Sequence, residues 1–373
     1  MKRIRWAEGG VLLGMTLLLI LYPSESARGA KEGLILCRDL LIPALFPFFV
    51  LSSLLVETGW TVRLARPLER PARFCLGVGG AGTAALLLGL VGGYPAGLRT
   101  LAELRAAGDC QDREARRAVL FCNSCGPAFL LGAAGTGVFG SRQAGLLLLA
   151  ANALAAFGLA AGLRLLCGPA ADGPKHLSRR EASLPEAFPV CVSGAFSSVL
   201  GVCGYVILFS VAAALSDCTG FLALCQRELR CLFPGPDGDV LTRSLALGLL
   251  ELSTGTAALR DAVENAAALP LTAFLLGWGG LSVHGQSLPF LRQAGGRTGP
   301  YLTAKLVHGL LSAGLAALLL RLFPLSLPAM VPPPGFPVPT LPGRELTALW
   351  LAAGAYFSLL RRKRGGKNRE DPV

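Results

Sequence analysis

The chain has 373 residues, of which 53% are hydrophobic and only 16% charged, and its mean hydropathy is +0.56. This balance predicts many bilayer-length apolar segments and leaves no room for a separate soluble catalytic domain. The formal net charge is +12, but the Arg residues lie in short loops beside apolar runs, which is typical of topology signals and anionic lipid headgroups. We therefore predict an all-α polytopic membrane protein whose surroundings are the lipid bilayer, with no nucleic acid partner.

Ten apolar runs follow one another along the chain. They lie at about 6–22, 34–59, 76–98, 118–140, 143–167, 190–216, 240–258, 268–288, 300–323 and 345–360. At roughly 20 residues per crossing, the chain accommodates about 8–10 membrane segments. The first run follows a basic start and predicts an uncleaved N-terminal anchor, with a cleaved signal peptide as the alternative.

Several runs contain residues that interrupt a helix. Structural breaks are predicted at Pro43 and Pro47 in the second run, at Pro95 in the third, and at Gly126 and Pro127 in the fourth. Proline removes a helix hydrogen bond, and broken backbone within a bilayer is tolerated only where protein or a wet cavity surrounds it. The breaks are therefore expected to point inward.

Basic loops constrain the topology. The loops at 60–75 and 99–117 carry four and five Arg residues, and both are expected in the cytoplasm. The third run then cannot cross once, so we predict a re-entrant hairpin that turns in the Gly-rich 77–93 region. The same reasoning makes 268–288 a second candidate hairpin. The basic N-terminus and the tail "RRKRGGKNRE" are also expected on the cytoplasmic side of a bacterial inner membrane.

An internal repeat relates the two halves of the chain. Pairs of interrupted segments in corresponding halves are the best sequence indication of a transporter site; chance similarity of Leu/Ala/Gly-rich text is the alternative. Three echoes occur in the same order: "GLVGGYPAGLRTLAELR" from Gly89 with "GLLELSTGTAALRDAVE" from Gly248, "AFLLGAAGTGVFGS" from Ala128 with "AFLLGWGGLSVHGQS" from Ala273, and "VLSSLL" from Val50 with "ILFSVAAAL" from Ile207.

These features predict six parts in chain order. They are an N-terminal membrane anchor (1–32), a first repeat (33–170), a polar cytoplasmic linker (171–189), a second repeat (190–324), a Pro-rich linker (325–343) and a C-terminal anchor with its basic tail (344–373).

Three motifs of the first half resemble a known family. They are "PALFPFFVLS" from Pro43, "GLVGGYPAG" from Gly89 and "FCNSCGPAFLLGAAGTGVFG" from Phe121. In order and spacing they resemble the YlbJ-type sporulation integral membrane proteins, which contain the Gate or "nucleoside recognition" domain, over about residues 35–325. The resemblance implies a multi-span inner-membrane protein of endospore-forming bacteria that is linked to spore cortex formation. It also implies similarity to pore-forming parts of concentrative nucleoside transporters and of the ferrous-iron permease.

Eight polar residues at or near the interruptions are candidate contacts for a small polar solute, because polar groups inside a membrane segment tend to face a cavity. They are Tyr94, Asn123, Ser124, Glu251, Ser253, Thr254, His284 and Gln286. The carboxylate of Glu251 needs a cation, a proton, an ion pair with Lys305 or an interfacial position. Asn123 and Ser124 either bind solute or only cap broken helix ends. His284 is more often explained by packing.

Other motifs carry no chemistry on their own. Cys122 and Cys125 form C-x-x-C without a second pair at ligand spacing, and Cys125 departs from the small polar residue expected in the family, so no metal site is predicted. "GVGGAG" from Gly77 matches a dinucleotide fingerprint, but no buried strand precedes it. No catalytic arrangement stands out, so we predict neither an enzyme nor a cofactor. The segment with Cys218, Cys225 and Cys231 is compatible with an extracytoplasmic disulfide, which spacing alone does not establish.

Two functions compete at this point. The first is a transporter-like or permease-like core for a small polar solute, nucleoside-like or an ion, in a monomer or homo-oligomer. The second is a non-transporting membrane scaffold whose basic segment, with Arg113, Arg116 and Arg117, recruits sporulation or cortex-assembly partners.

Overall fold

The computed structural model describes residues 2–170 and 182–325, and no strand occurs within these ranges. They belong to a compact unit, Met1–Val331. The Pro-rich linker, the C-terminal anchor and most of the cytoplasmic linker predicted above lie outside the described residues. The predicted all-α class is confirmed.

The helices of the first half are short and often interrupted. Their bounds are α1 Lys2–Leu21, α2 Pro23–Leu36, α3 Ile42–Glu57, α4 Trp60–Leu76, α5 Gly80–Gly92, α6 Ala96–Ala106, α7 Asp112–Ala118 and α8 Arg142–Cys167, with π-helical segments π1 Cys37–Leu41 and π2 Ala128–Val138.

The second half begins with the longest helix of the described chain. Its bounds are α9 Leu184–Cys218, α10 Phe221–Leu229, α11 Gly238–Leu250, α12 Leu252–Ala257, α13 Ala268–Trp278, α14 Gly280–Gln293 and α15 Thr298–Leu322, with single 3₁₀ turns at Arg230–Leu232 and Arg260–Ala262.

Three helices, α8, α9 and α15, are individually long and apolar enough to cross a membrane. Two bent pairs also qualify when each is taken as one span: α1 with α2, at 100°, and α4 with α5, at 94°. The other apolar runs of the described chain form helices of at most 16 residues that are separated by breaks. The predicted polytopic membrane fold with broken helices is thus confirmed, and many of the predicted segments are pieces of interrupted crossings.

The two prolines of the second run do not break it, which corrects the prediction. The chain stays helical from α2 through π1 to the end of α3. Pro43 is the second residue of α3, and the wider π turn before it lets the Ile42 N–H donate to the carbonyl of Cys37. Pro47 lies inside α3 and removes a single helix hydrogen bond there.

The Gly-rich third run contributes the first arm of a hairpin, but the turn lies at the end of the predicted 77–93 region and the second arm extends into the predicted basic loop at 99–117. The arms of this hairpin are α5 and α6, which pack against each other, and its tip is Gly93, Tyr94 and Pro95, with a cis peptide bond between the last two. We call this unit hairpin 1. A Cβ atom at Gly89 or Gly97, one on each arm, would overlap the carbonyl of Cys122. Glycine is needed there because backbone packs against backbone.

A second hairpin forms at a different place from the predicted 268–288. Its arms are α11 and α12, which pack against each other, and its tip is Glu251. We call this unit hairpin 2. Gly248 on one arm faces Gly255 on the other so closely that a Cβ at Gly255 would overlap Gly248. Hairpin 2 contains the segment that echoes hairpin 1 in the sequence.

The 268–288 region is instead part of a broken crossing, α13 and α14, interrupted at Gly279. It begins just after Asn265, whose side-chain amide donates a hydrogen bond of 2.8 Å to the carboxylate of Asp237, at the base of hairpin 2. At its other end the carbonyl of Gln293 accepts from Arg105 at the base of hairpin 1 at 2.8 Å. The loops on either side of this region carry few charged residues, so the positive-inside rule could not distinguish a crossing from a hairpin here.

The first half contains the corresponding broken crossing, from α7 through an irregular segment to π2. It begins where Asp112 accepts from Arg105 at 2.9 Å, and it ends where the carbonyl of Gly137 accepts from Arg260, beyond α12, at 3.1 Å. This crossing therefore runs opposite in direction to α13–α14.

Helix α9 connects these units. It packs against α2, α3, α10 and α14, and Gly29 and Gly33 of α2 lie directly against its residues Ser210 and Ala214. The predicted boundary between anchor and first repeat, at residue 32, falls inside α2. At and beyond the C-terminal end of α9, Cys218, Cys225 and Cys231 are free thiols that form no disulfide with one another.

Candidate functional site

The tips of both hairpins and both broken crossings meet around one central cavity of about 50 Å³. We call the tips of hairpins 1 and 2 tip 1 and tip 2, the irregular segment between α7 and π2 the first break, and the interruption between α13 and α14 the second break. Gly93 of tip 1 lies against Gly126 in the first break. Gly280 of the second break lies against the backbone of Leu250 and Leu252 at tip 2. The polar residues and glycines that line this cavity are Gly93, Tyr94, Cys125, Gly126, Glu251, Ser253, Ser282 and Gln286.

Two larger cavities lie on either side of the central one. The first, which we call vestibule A, has about 240 Å³ and runs along hairpin 1 past Arg99, Glu103 and Ser198. The second, vestibule B, has about 220 Å³ and runs along hairpin 2 past Asp217 and Arg243. The hairpins therefore reach the centre from opposite ends of the molecule.

The three cavities follow one another along α9. Ser198 to Tyr205 line vestibule A, Val202 and Val206 line the central cavity, and Ser210 to Asp217 line vestibule B. At about 1.5 Å per residue, this row covers roughly 28 Å, close to the thickness of a bilayer core. Helices α2 and α3 line the same cavities in the reverse order.

A buried network of hydrogen bonds surrounds the ammonium group of Lys305 in α15. Lys305 Nζ donates to the hydroxyl of Tyr94 and to the backbone carbonyl of Asn123, both at 2.9 Å, and lies 3.3 Å from Nδ1 of His308. The Tyr94 hydroxyl donates in turn to the carbonyl of Leu276 in α13 at 2.7 Å. Tip 1 is thus tied to both broken crossings.

The first break supplies the predicted pair Asn123 and Ser124, and both side chains are buried. Asn123 Nδ2 donates to Ser287 Oγ at 3.0 Å and to the Tyr301 hydroxyl at 2.7 Å, while Asn123 Oδ1 has no partner. Ser124 Oγ donates to Asn152 Oδ1 at 2.5 Å. Their role goes beyond capping, since they connect the break to α8, α14 and α15.

Glu251 forms tip 2 and caps α12. Its carboxylate accepts from the backbone N–H of Ser253 at 3.0 Å and of Thr254 at 2.6 Å, and from the Thr254 hydroxyl at 2.8 Å. Such donors at a helix start stabilise a negative charge. The described residues show no ion pair between Glu251 and Lys305, because Lys305 is held at tip 1.

Gln286 and His284 occupy different environments in α14. Gln286 lines both the central cavity and vestibule A. His284 instead lies between the rings of Trp278 and Tyr301, with centroid distances of 4.5 and 5.6 Å. Neither ring nitrogen of His284 has a hydrogen-bond partner among the described residues, so its contact with a solute stays a prediction.

Sequence reasoning missed four members of the network: Asn152, Ser287, Tyr301 and the central role of Lys305. A single polar residue within an apolar run, such as Asn152 in α8 or Lys305 in α15, was the available signal. Apart from His308, which follows Lys305 by three residues, their hydrogen-bond partners are 28 to 211 residues away in the sequence, so no local pattern identifies the network.

Charged pairs differ between the two vestibules. In vestibule B, Arg243 of hairpin 2 binds Asp217 of α9 with two bonds of 3.0 and 2.9 Å. In vestibule A, Arg99 of hairpin 1 reaches α9 through one bond to Ser198 of 3.3 Å. Hairpin 2 therefore has the stronger side-chain connection to α9.

We expect Arg243→Asp to destabilise the purified protein by roughly 1 kcal/mol, because it replaces a half-exposed ion pair with two like charges. The double variant Asp217→Arg with Arg243→Asp should recover most of that loss in thermal unfolding. Arg227→Asp, beside the fully exposed Glu228, is the control. A double variant no more stable than the single one would show that the pair contributes nothing.

Two other sequence motifs have structural roles. The "GVGGAG" segment starts α5, and the Glu114 carboxylate accepts from the N–H groups of Gly79 and Gly82, each at 2.8 Å. Cys122 and Cys125 are buried free thiols, and no cluster of metal-ligating side chains occurs among residues 2–170 and 182–325.

Comparison with known proteins agrees with this geometry. The Gate family model, described as nucleoside recognition, matches residues 40–142. The fold is similar to that of CNTnw N149L in its intermediate 3 state, with a TM-score of 0.54 and 15% identity over 85% of this chain and 86% of that one. The sporulation integral membrane protein YlbJ of Bacillus subtilis (strain 168) is 30% identical over 337 residues, which is 82% of this chain and 80% of YlbJ. The chain therefore belongs to the YlbJ family of sporulation integral membrane proteins and has a transporter-like core.

Proposed function

We propose that this protein moves a small polar solute across the bacterial cytoplasmic membrane during sporulation, through the row of cavities along α9. The observation that carries the proposal is that two hairpins from opposite ends meet tip to tip at a cavity between two vestibules. Discontinuous helices in inverted repeats around a midplane site are typical of secondary transporters.

The chemistry of vestibule A favours a nucleoside-like solute. Aromatic side chains of Phe49, Tyr205 and Phe290 line it together with Arg99 and Gln286. Aromatic faces suit a planar ring, and a few polar groups suit its hydrogen-bonding edge. The Gate family, whose model matches residues 40–142, is described as nucleoside recognition, which supports this choice over an ion.

The orientation follows from the basic residues at the base of hairpin 1. Arg73, Arg105, Arg116 and Arg117 lie at this end of the molecule, so the positive-inside rule places vestibule A on the cytoplasmic side. A cytoplasmic N-terminus and a cytoplasmic basic C-terminal tail stay predictions from their own basic residues. Spore cortex formation is the process that we assign to the protein, and a homo-oligomer stays a prediction.

The test is uptake of radiolabelled nucleosides, nucleobases and small organic acids into proteoliposomes. Gln286→Leu, which removes the polar group shared by vestibule A and the central cavity, is expected to lower uptake at least about tenfold. Gln293→Leu is the matched control, since it makes the same change at an exposed position of the same helix and should leave uptake unchanged.

The scaffold hypothesis predicts the opposite pattern. If wild-type protein moved none of these solutes and the Gln286→Leu strain made normal spore cortex, the transport proposal would be abandoned. One of the arginines assigned to partner recruitment has an internal contact: the Arg117 guanidinium donates to the carbonyls of Leu163 and Gly168, each at 3.0 Å. It therefore caps the C-terminal end of α8.

A further inference from the structure

The Lys305 amino group has almost no solvent exposure, 1% for the residue, and it forms no ion pair with a carboxylate of the described chain. Its three hydrogen-bond partners are instead the Tyr94 hydroxyl, the Asn123 carbonyl and Nδ1 of His308. An ammonium group has three donors and no acceptor, so these three acceptors satisfy it completely.

The orientation of each partner agrees with a charged ammonium. His308 Nε2 lies 3.1 Å from the carbonyl of Asn152, so this nitrogen carries the proton and Nδ1 is left to accept. The Tyr94 hydroxyl donates its proton to the backbone carbonyl of Leu276, so its oxygen lone pairs are available to accept from Lys305. Every partner presents an electron pair to Nζ.

The surroundings of Lys305 Nζ resemble the cation site of a transporter with discontinuous helices. Asn123 lies in the non-helical segment between α7 and π2, so its carbonyl is available to a cation. In transporters with discontinuous helices, such unwound carbonyls hold the coupling Na⁺ or H⁺. Here the same kind of carbonyl faces a tethered ammonium.

We propose that the Lys305 ammonium is a built-in cation that occupies the carbonyl site of the first break and makes the tip 1 arrangement independent of an inorganic cation. It ties tip 1 to the first break directly, to α13 through Tyr94, and to α8 through His308. The consequence for transport, uptake that does not need Na⁺, rests on the proposed function; the occupancy of the site does not.

The test measures the melting temperature of purified protein in detergent, at equal ionic strength in NaCl, KCl or choline chloride. Wild-type protein should melt at the same temperature in all three salts. Lys305→Ala should melt on the order of 5 °C lower than wild type. In ethylammonium chloride it should recover at least half of that loss, because the ethylammonium ion fits the space left by the lysine side chain. In choline chloride it should recover nothing.

Lys305→Met is the matched control, because its side chain fills the space of the lysine stem without a charge. It should melt below wild type and gain nothing from ethylammonium. Two results would overturn the proposal: Lys305→Met as stable as wild type, or wild-type protein that melts several degrees higher in NaCl than in choline chloride. The second measurement needs no variant, so it decides even if Lys305→Ala fails to fold.

The melting experiments test the built-in cation independently of whether the protein transports a solute. A protein that moves no solute can still show the ethylammonium recovery, which would leave the built-in cation in place. Conversely, uptake that falls when NaCl is replaced by choline chloride would keep transport and reject the built-in cation.

Discussion

Valine at Gly89 or Gly97 is expected to prevent accumulation of folded protein. A Cβ at either position would overlap the backbone carbonyl of Cys122, which belongs to the first broken crossing. A side chain can rotate away from a clash, but a backbone carbonyl in a packed interior cannot, so we expect a loss of more than about 3 kcal/mol. The measurement is the yield of monodisperse protein after size exclusion in detergent.

Gly162→Val is the control for this result. Gly162 lies in α8, and an added Cβ there meets nothing within 4 Å. Apart from a lower helix propensity of valine, which is a small effect, this substitution should be tolerated. Normal yield and melting of Gly97→Val would mean that hairpin 1 does not pack on the first break, and the arrangement of the site would have to be revised.

Asn123→Leu is expected to abolish solute uptake and lower thermal stability. It removes the donor that serves both Ser287 and Tyr301, and each buried hydroxyl left without this partner costs about 1–3 kcal/mol. The break would also lose the contacts that orient the Asn123 carbonyl toward Lys305. Uptake and melting temperature should therefore fall together.

Smaller changes to the same bonds provide the comparison. Ser287→Ala and Tyr301→Phe each remove one acceptor and should cost less than Asn123→Leu. In the double variant Asn123→Leu with Ser287→Ala, the losses should be less than additive, because both changes remove the same bond. Additive losses would show that Asn123 does not act through Ser287.

The interruptions near the site were predictable from local composition. Pro95, Gly126 and Pro127 lie at tip 1 or in the first break, as expected from residues that cannot continue a regular helix. The echo of Gly89 in Gly248 also has a structural basis, since a Cβ at either glycine would overlap a residue of a broken crossing, Cys122 for Gly89 and Leu275 for Gly248.

The same local rules failed at Pro43 and Pro47. A proline removes one hydrogen bond, but whether the helix stops depends on how the neighbouring backbone adapts, and here a π turn precedes Pro43. In the second pair of similar segments, the one from Ala128 begins after the first break, whereas the one from Ala273 begins before the second break. Similar sequences in the two halves therefore do not imply equivalent positions in the fold.

The eight candidate site residues, which remain candidates, show where sequence reasoning reaches its limit. Tyr94, Glu251 and Gln286 do line the central cavity, because polar groups in apolar runs are costly unless they face one. Lys305 had been considered only as a partner of Glu251, whereas folding places it at the opposite tip.

The sequence by itself determined the membrane class, the position of the main breaks and the family, because hydropathy, proline and glycine act locally on the chain. Only the tertiary structure decided which break faces which hairpin and what holds Lys305. Those relations depend on bonds such as Lys305 to Tyr94, across 211 residues, whose geometry is set by the packing of whole helices rather than by any local pattern.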